Sequence, residues 1–147
     1  MMKVLAIASI GGHWIQLLRL KPAFNNVNLE FVSTNECCAA MVPEHTFYAV
    51  PDSNRSNKID VLKSFWNISK LLVKTRPDAI ITTGAAPGLM GIIAGKMLGI
   101  KTIWIDSIAN IDELSMSGKI AMKFADRVYT QWPHLANTKV LYSGSVL

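Results

Sequence analysis

The sequence predicts an α/β fold: a doubly wound, mostly parallel sheet of the Rossmann-like kind. Three observations carry that prediction. Short apolar runs rich in β-branched residues alternate with helical patterns, two of them more than ten residues long, as βαβ units require. Pro22, Pro43, Pro51, Pro77 and Pro133 fall between those runs, where a missing N–H costs least. The chain has 147 residues, 50% hydrophobic and 17% charged, enough for one buried core and short for two ordinary domains. A single domain over residues 1–147 is expected, with no internal repeat, linker or low-complexity segment.

The elements follow in order. Lys3–Ser9 (KVLAIAS) is an apolar strand that runs into Gly-Gly-His and a helix at Trp14–Leu20. Leu29–Ser33 and Thr46–Val50 are β-branched and aromatic strands, with a short helix between them at Glu36–Met41. Ile59–Thr75 has helical periodicity over its whole length. Ala79–Thr83 (AIITT), just after Pro77, is a buried strand, and Gly88–Leu98 is a nearly uncharged helix with small residues suited to close packing. Lys101–Asp106 (KTIWID), a helix at Gly118–Ala125 and strands at Arg127–Thr130 and Val140–Tyr142 complete the pattern.

Composition removes several classes. The longest uncharged stretch, Ala79–Gly95, has 17 residues and is broken by Gly84, Pro87, Gly88 and Gly91, so it is too short to span a bilayer. No signal peptide is read at the start, and a soluble or peripheral chain is expected. Cys37 and Cys38 are adjacent; a bond between them would close a strained ring, so they read as reduced thiols of a cytoplasmic protein. No metal site and no cofactor are expected. G-x-G-x-x-G and G-K-[ST] are both absent, against a nicotinamide dehydrogenase and a nucleotide hydrolase.

Ligands of such sheets bind beyond the carboxyl ends of the strands. After the first strand come Gly11, Gly12 and His13. The glycines let a ligand approach the backbone, and a helix N-terminus offers N–H groups to phosphate. His13 could serve as general base or phosphate ligand, or simply be a solvated histidine on a tight turn. After the fourth strand, Gly84, Ala86, Pro87 and Gly88 form a second small-residue loop, and two such loops on one rim suggest a diphosphate cradle. Gly91 and Gly95 read as close helix-on-sheet packing. Asp106 ends the fifth strand, with Ser107 and Asn110 after it. Its carboxylate could accept a substrate hydroxyl proton or cap the next helix.

The net charge of +5 is local: Arg55 to Arg76 holds six basic residues and one acid, which accounts for the whole excess. Lys63, Asn67, Lys70 and Lys74 share one polar stripe of the helix there. Leu62, Phe65, Trp66, Ser69, Leu72 and Val73 line a neighbouring face, and Val61, Ile68 and Leu71 also need cover. The stripe is either an ordinary solvated face or a contact with an anionic membrane, each lysine near a bilayer adding about 1 kcal/mol. Lys119, Lys123 and Arg127 make a weaker basic row. No nucleic-acid motif or stacking set is present, so no nucleic-acid partner is expected. Gln131-Trp132-Pro133 and Val146-Leu147 are candidate partner contacts.

Three segments, GGHWIQLLRLKPAF, RPDAIITTGAAPG and KTIWIDSIANIDELSMSGKIAMKFADRVYTQWP, resemble the bacterial capsule and exopolysaccharide branch of the oligosaccharide-biosynthesis family. That family includes the membrane-anchoring subunit of a two-chain UDP-N-acetylglucosamine transferase. The same loops more distantly resemble the amino-terminal domain of the peptidoglycan N-acetylglucosamine transferase. The resemblance implies the amino-terminal half of a GT-B glycosyltransferase that binds a lipid-diphosphate-linked sugar acceptor. A separate carboxyl-terminal-half subunit would share the UDP-sugar donor and complete an inverting enzyme. Gly11, Gly12 and His13 match the family's first glycine-rich loop; Gly84, Ala86, Pro87 and Gly88 match its second; Asp106, Ser107 and Asn110 match its third loosely. The resemblance implies a half that touches the membrane; with the reduced cysteines and the basic stripe, a cytoplasmic chain peripheral to the inner face of the membrane is expected, with Lys63, Lys70 and Lys74 as membrane contacts. A non-catalytic scaffold for the partner is the alternative.

Overall fold

The computed structural model describes residues 1–53 and 56–146; Arg55 of the basic window and Leu147 lie outside the described residues. Seven strands form one sheet: β1 (Lys3–Ala8), β2 (Asn28–Ser33), β3 (Phe47–Ala49), β4 (Ala79–Gly84), β5 (Lys101–Ile105), β6 (Arg127–Thr130) and β7 (Val140–Tyr142). Their order is β3-β2-β1-β4-β5-β6-β7, and every pairing is parallel. The helices are α1 (Gly12–Arg19), α2 (Lys58–Thr75), α3 (Ala85–Met97) and α4 (Met116–Ala121). This is the doubly wound arrangement that the alternating pattern demands.

Strand alternation divides the core between the two sheet faces. Val4, Ala6 and Ala8 of β1 pack with Trp14 and Leu17 of α1 and with Phe31. Leu5 and Ile7 point the other way, to Ile68 and Leu72 of α2 and Ala94 of α3. Leu89 and Ile92 of α3 meet Trp104, Val128 and Ala121 in a third cluster. Gly91 and Gly95 explain how α3 lies so close. A Cβ at either would come within 2.6 Å of Ile7 or Ile80, so close packing is their role.

Several boundaries differ from the sequence reading, each for a local reason. Helix α3 begins at Ala85 rather than Gly88, because proline is tolerated in a first turn whose N–H groups lack partners. Helix α4 begins at Met116, where Ser115 caps it by accepting from the Gly118 N–H, and it ends at Ala121. Glu36–Met41 is 3-10 rather than α. Pro22 and Pro133 sit in the first turns of two further 3-10 segments, Lys21–Phe24 and Pro133–Leu135, which the sequence pattern left as connections.

Helix α2 is turned differently from the expectation. Ser64, Ile68, Leu72 and Thr75 are its buried residues. Leu62, Trp66 and Val73, which share an apolar face with Leu72 in the sequence pattern, are exposed, as is Ile59. Both sides of this helix are apolar, and periodicity cannot say which of two apolar stripes meets a sheet.

Candidate functional site at the strand carboxyl ends

Helices α1 and α3 start at the ends of neighbouring strands, β1 and β4. Their N-caps are Gly11 (φ 101°) and Gly84 (φ 134°), and neither helix has a side-chain cap. Both angles lie where a Cβ is strained, so glycine permits these abrupt entries. By contrast, Asn57 and Ser115 cap α2 and α4 with their own side chains. The first-turn N–H groups of α1 and α3 thus face outward without a side-chain acceptor, with the positive end of each helix dipole behind them. Two adjacent termini of this kind can hold an anion with more than one phosphate.

A β-bulge joins the two loops. The β1–β4 register shifts between Ile7 and Ala8, which pair with Thr82 and Gly84 and leave Thr83 over. The Nδ1–H of His13 donates to the Thr83 carbonyl at 3.0 Å, and the Thr83 hydroxyl donates to the His13 carbonyl at 2.6 Å. Because Nδ1 faces an oxygen that can only accept, it carries the hydrogen, and Nε2 of the neutral ring holds the lone pair. The ring lies against Gly84, where a Cβ would come 2.7 Å from Nδ1. Gly84 is needed twice, for its backbone angle and for the space the imidazole fills.

The remaining residues of the second loop behave differently. Ala86, Pro87 and Gly88 lie in the first turn of α3, not in a loop. A Cβ at Gly88 would sit 2.0 Å from the Thr82 hydroxyl oxygen, so packing explains that glycine, and only its backbone remains available to a ligand. Ala85 has φ 65°, a left-handed angle that costs a non-glycine residue of order 1 kcal/mol or more.

Asp106 is buried, and both of its carboxylate oxygens are hydrogen-bonded. It is 1% exposed. One carboxylate oxygen accepts from Trp104 Nε1 at 3.0 Å and the Ser115 hydroxyl at 2.6 Å. The other accepts from Asn110 Nδ2 at 3.1 Å and the Ser115 N–H at 2.9 Å. The carboxylate therefore folds the β5–α4 loop around itself, and Asn110 is spent in the same task. Ser107 Oγ accepts from Gln16 Nε2 and from the Ala109 N–H.

Two buried glutamines escaped the sequence reading as site residues. Gln16 Oε1 accepts from the Ile108 N–H at 3.1 Å and from Gln131 Nε2 at 2.7 Å. Gln131 Nε2 also reaches the Asp106 carbonyl, and its Oε1 accepts from the Val146 N–H. His13 and Gln16 stand three residues apart on α1, one anchoring the helix to the β4 loop and the other to the β5 loop. A polar residue one turn after the histidine was the available signal for Gln16. Gln131 and Trp132, candidates for either a partner contact or the core, are engaged internally: Gln131 is buried, and Trp132 Nε1 donates to the Ile108 carbonyl.

Lys63, Lys70 and Lys74 are exposed along α2, without an ion pair among the described residues. In the second basic row, Lys119 pairs with Glu113, whose carboxyl is held below its usual range first by that hydrogen bond and then by the lysine charge.

A family model described as "Oligosaccharide biosynthesis protein Alg14 like" matches residues 29–146. The chain belongs to this family. The human UDP-N-acetylglucosamine transferase subunit ALG14 is 25% identical over 180 residues, covering 99% of this chain and 83% of that protein. A Staphylococcus aureus pyrophosphoryl-undecaprenol N-acetylglucosamine transferase is 28% identical over 111 residues, covering 69% of this chain and 30% of that protein. Among solved structures, Acinetobacter baumannii MurG superposes with a TM-score of 0.80 at 14% identity, covering 99% of this chain and 46% of MurG. A UDP-GlcNAc 2-epimerase from Methanocaldococcus jannaschii gives 0.74 at 15% identity, covering 98% and 46%. These structures share the fold, and this Alg14-like chain spans just under half of each. Among the described residues, no helix is long and apolar enough to cross a membrane.

Proposed function

We propose that this Alg14-like chain is the acceptor-side subunit of a two-chain, inverting UDP-N-acetylglucosamine transferase acting in surface-polysaccharide (capsule or exopolysaccharide) synthesis. The observation that carries the reading is the pair of glycine-capped helix N-termini joined through His13 and Thr83. The acceptor's diphosphate sits across the N–H groups of Gly12 and His13 on one side and Ala85 and Ala86 on the other. An acceptor sugar hydroxyl attacks C1 of the UDP-sugar, the C1–O bond to UDP breaks, and the hydroxyl proton passes to Nε2 of His13. His13 then gives that proton to solvent. The Thr83 carbonyl holds the imidazole in the tautomer this step requires. Asp106, Ser107 and Asn110 position the adjoining loop rather than react. A second polypeptide binds most of the donor.

The chain works at the cytoplasmic face of the membrane, held there by α2. Ile59, Leu62, Trp66 and Val73 form one exposed apolar stripe along that helix, 57% to 67% exposed. Lys63, Lys70 and Lys74 run beside it. An amphipathic helix lying in the headgroup region has this composition.

The test is co-expression with the candidate partner subunit and an assay of transfer from UDP-N-acetylglucosamine to a polyprenyl-diphosphate-linked sugar. Transfer that needs both chains supports the proposal, and full activity from this chain alone ends it. His13→Ala separates catalysis from scaffolding. Retained partner and membrane binding with transfer reduced about 10²–10⁴-fold fits a general base; unchanged transfer makes the chain a scaffold.

A further inference from the structure

Lys70 and Lys74, one turn apart on α2, form a ridge between two hollows. On one side a shallow hollow of about 410 Å³ is floored by Trp66, Ser69 and Val73, part of the exposed apolar stripe. On the other a cavity of about 610 Å³ opens between α2 and the edge strand β3, with Tyr48, Pro51, Asn67 and Glu36 around it. The same two lysines line both. Lys70 and Lys74 pair with no carboxylate among the described residues, as is also true of Lys58 and Lys63 on the same helix. Tyr48 does not supply a charge: its hydroxyl donates to Glu30 at 3.2 Å, and burial together with the Glu30 carboxylate raises its pKa.

We infer that the β3–α2 cavity binds the headgroup of an anionic phospholipid that carries a hydrogen-bond donor. This rests on the membrane reading of α2 given above. The phosphodiester bridges the Lys70 and Lys74 ammonium groups, and a headgroup hydroxyl donates to Glu36. Glu36 gives the site its selectivity. A carboxylate on the rim repels a bare anion and rewards one whose far end donates. The location fits, because a bilayer resting on Trp66 and Val73 brings headgroups to the lysine ridge, and the cavity lies just past it.

The test compares vesicles of equal surface charge, phosphatidylcholine with either phosphatidylglycerol or phosphatidylmethanol at the same mole fraction. The second lipid has the phosphodiester but no donor. The full chain should bind phosphatidylglycerol vesicles about fivefold more tightly, the value of one extra hydrogen bond. Glu36→Gln should lose most of that preference while still binding both. Lys70→Gln/Lys74→Gln should weaken binding and abolish the preference, whereas Lys58→Gln/Lys63→Gln, with the same loss of charge, should weaken binding and keep it.

Equal affinity of the wild type for the two vesicles overturns the inference, as does identical behaviour of the two lysine pairs. Displacement from vesicles by millimolar inorganic phosphate as effective as by glycerophosphoglycerol identifies a free-phosphate site instead and overturns the lipid assignment. Strong vesicle binding that Leu62→Ala/Trp66→Ala removes, with no headgroup preference, leaves the membrane reading standing and removes only the cavity's ligand. No binding to any vesicle removes both.

Discussion

The rim of the sheet holds two regions built on opposite plans. At the ends of β1 and β4 the helices begin on glycines, no side chain caps them, and His13 uses one ring nitrogen for anchoring and keeps the other. At the end of β5 the polar groups are consumed internally: Asp106 takes four donors, Ser115 caps α4, and Gln16 and Gln131 lock the loop to α1. Adjacent loops of one sheet can therefore divide the labour. One leaves backbone N–H groups for a ligand, and the other makes the first rigid enough to do so. A carboxylate at a strand end is not by that fact a catalyst.

The largest effect is expected for Asp106→Ala. It strands four donors in a buried site, so stability should fall by about 3–5 kcal/mol, a drop in melting temperature of roughly 10 °C. A small change in melting temperature with a large loss of transfer would put Asp106 back in the chemistry. His13→Ala should show the reverse: about 1 kcal/mol of stability from the lost hydrogen bond and ring packing, with transfer reduced as stated above. Thermal denaturation of the two variants side by side decides which region is structural. Gln16→Leu removes three hydrogen bonds from one side chain and leaves Gln131 and Ser107 short of partners. It should cost about 2 kcal/mol and speed hydrogen exchange at the Ile108 amide, while the Gly84 amide, bonded to Thr82, stays protected.

The smallest expected effect lies away from the rim. The Asp126 carboxyl is held below its usual range chiefly by the Thr102 N–H; desolvation opposes that, and the Lys96 and Lys101 charges lower it further. A lowered folded pKa contributes stability above the unfolded value, near pH 4, which is lost as pH falls through the folded value. The melting-temperature gap between wild type and Asp126→Ala should be widest near pH 7 and shrink below pH 4. A gap that widens on acidification would contradict that sign.

The sequence made the parallel sheet legible because β-branched runs such as AIITT and KTIWI alternate with helices, and burial on both faces leaves few other readings. The glycine turns were legible too, since glycine before a helix has few other uses. The orientation of α2 was not, because Leu62, Trp66 and Val73 form as good an apolar stripe as Ile68 and Leu72. The β5 loop was hidden for another reason. Gln16 and Gln131 meet across 115 residues, and no local pattern reports a contact that distant. Asp106 was readable only as a choice between capping and catalysis; the cap of α4 is Ser115, and Asp106 is instead ringed by four donors.

The central claim is that the two uncapped helix N-termini hold the acceptor's diphosphate. It is tested most directly by a ¹H–¹⁵N titration of the chain with geranyl diphosphate, a water-soluble stand-in for the lipid-linked group. Saturable shifts are expected at the Gly12, His13, Ala85 and Ala86 amides, with Ile108, Ala109 and Ser115 little moved. Shifts centred on Ser107 to Ser115, or none at Gly12 and Ala85 at millimolar ligand, would contradict it.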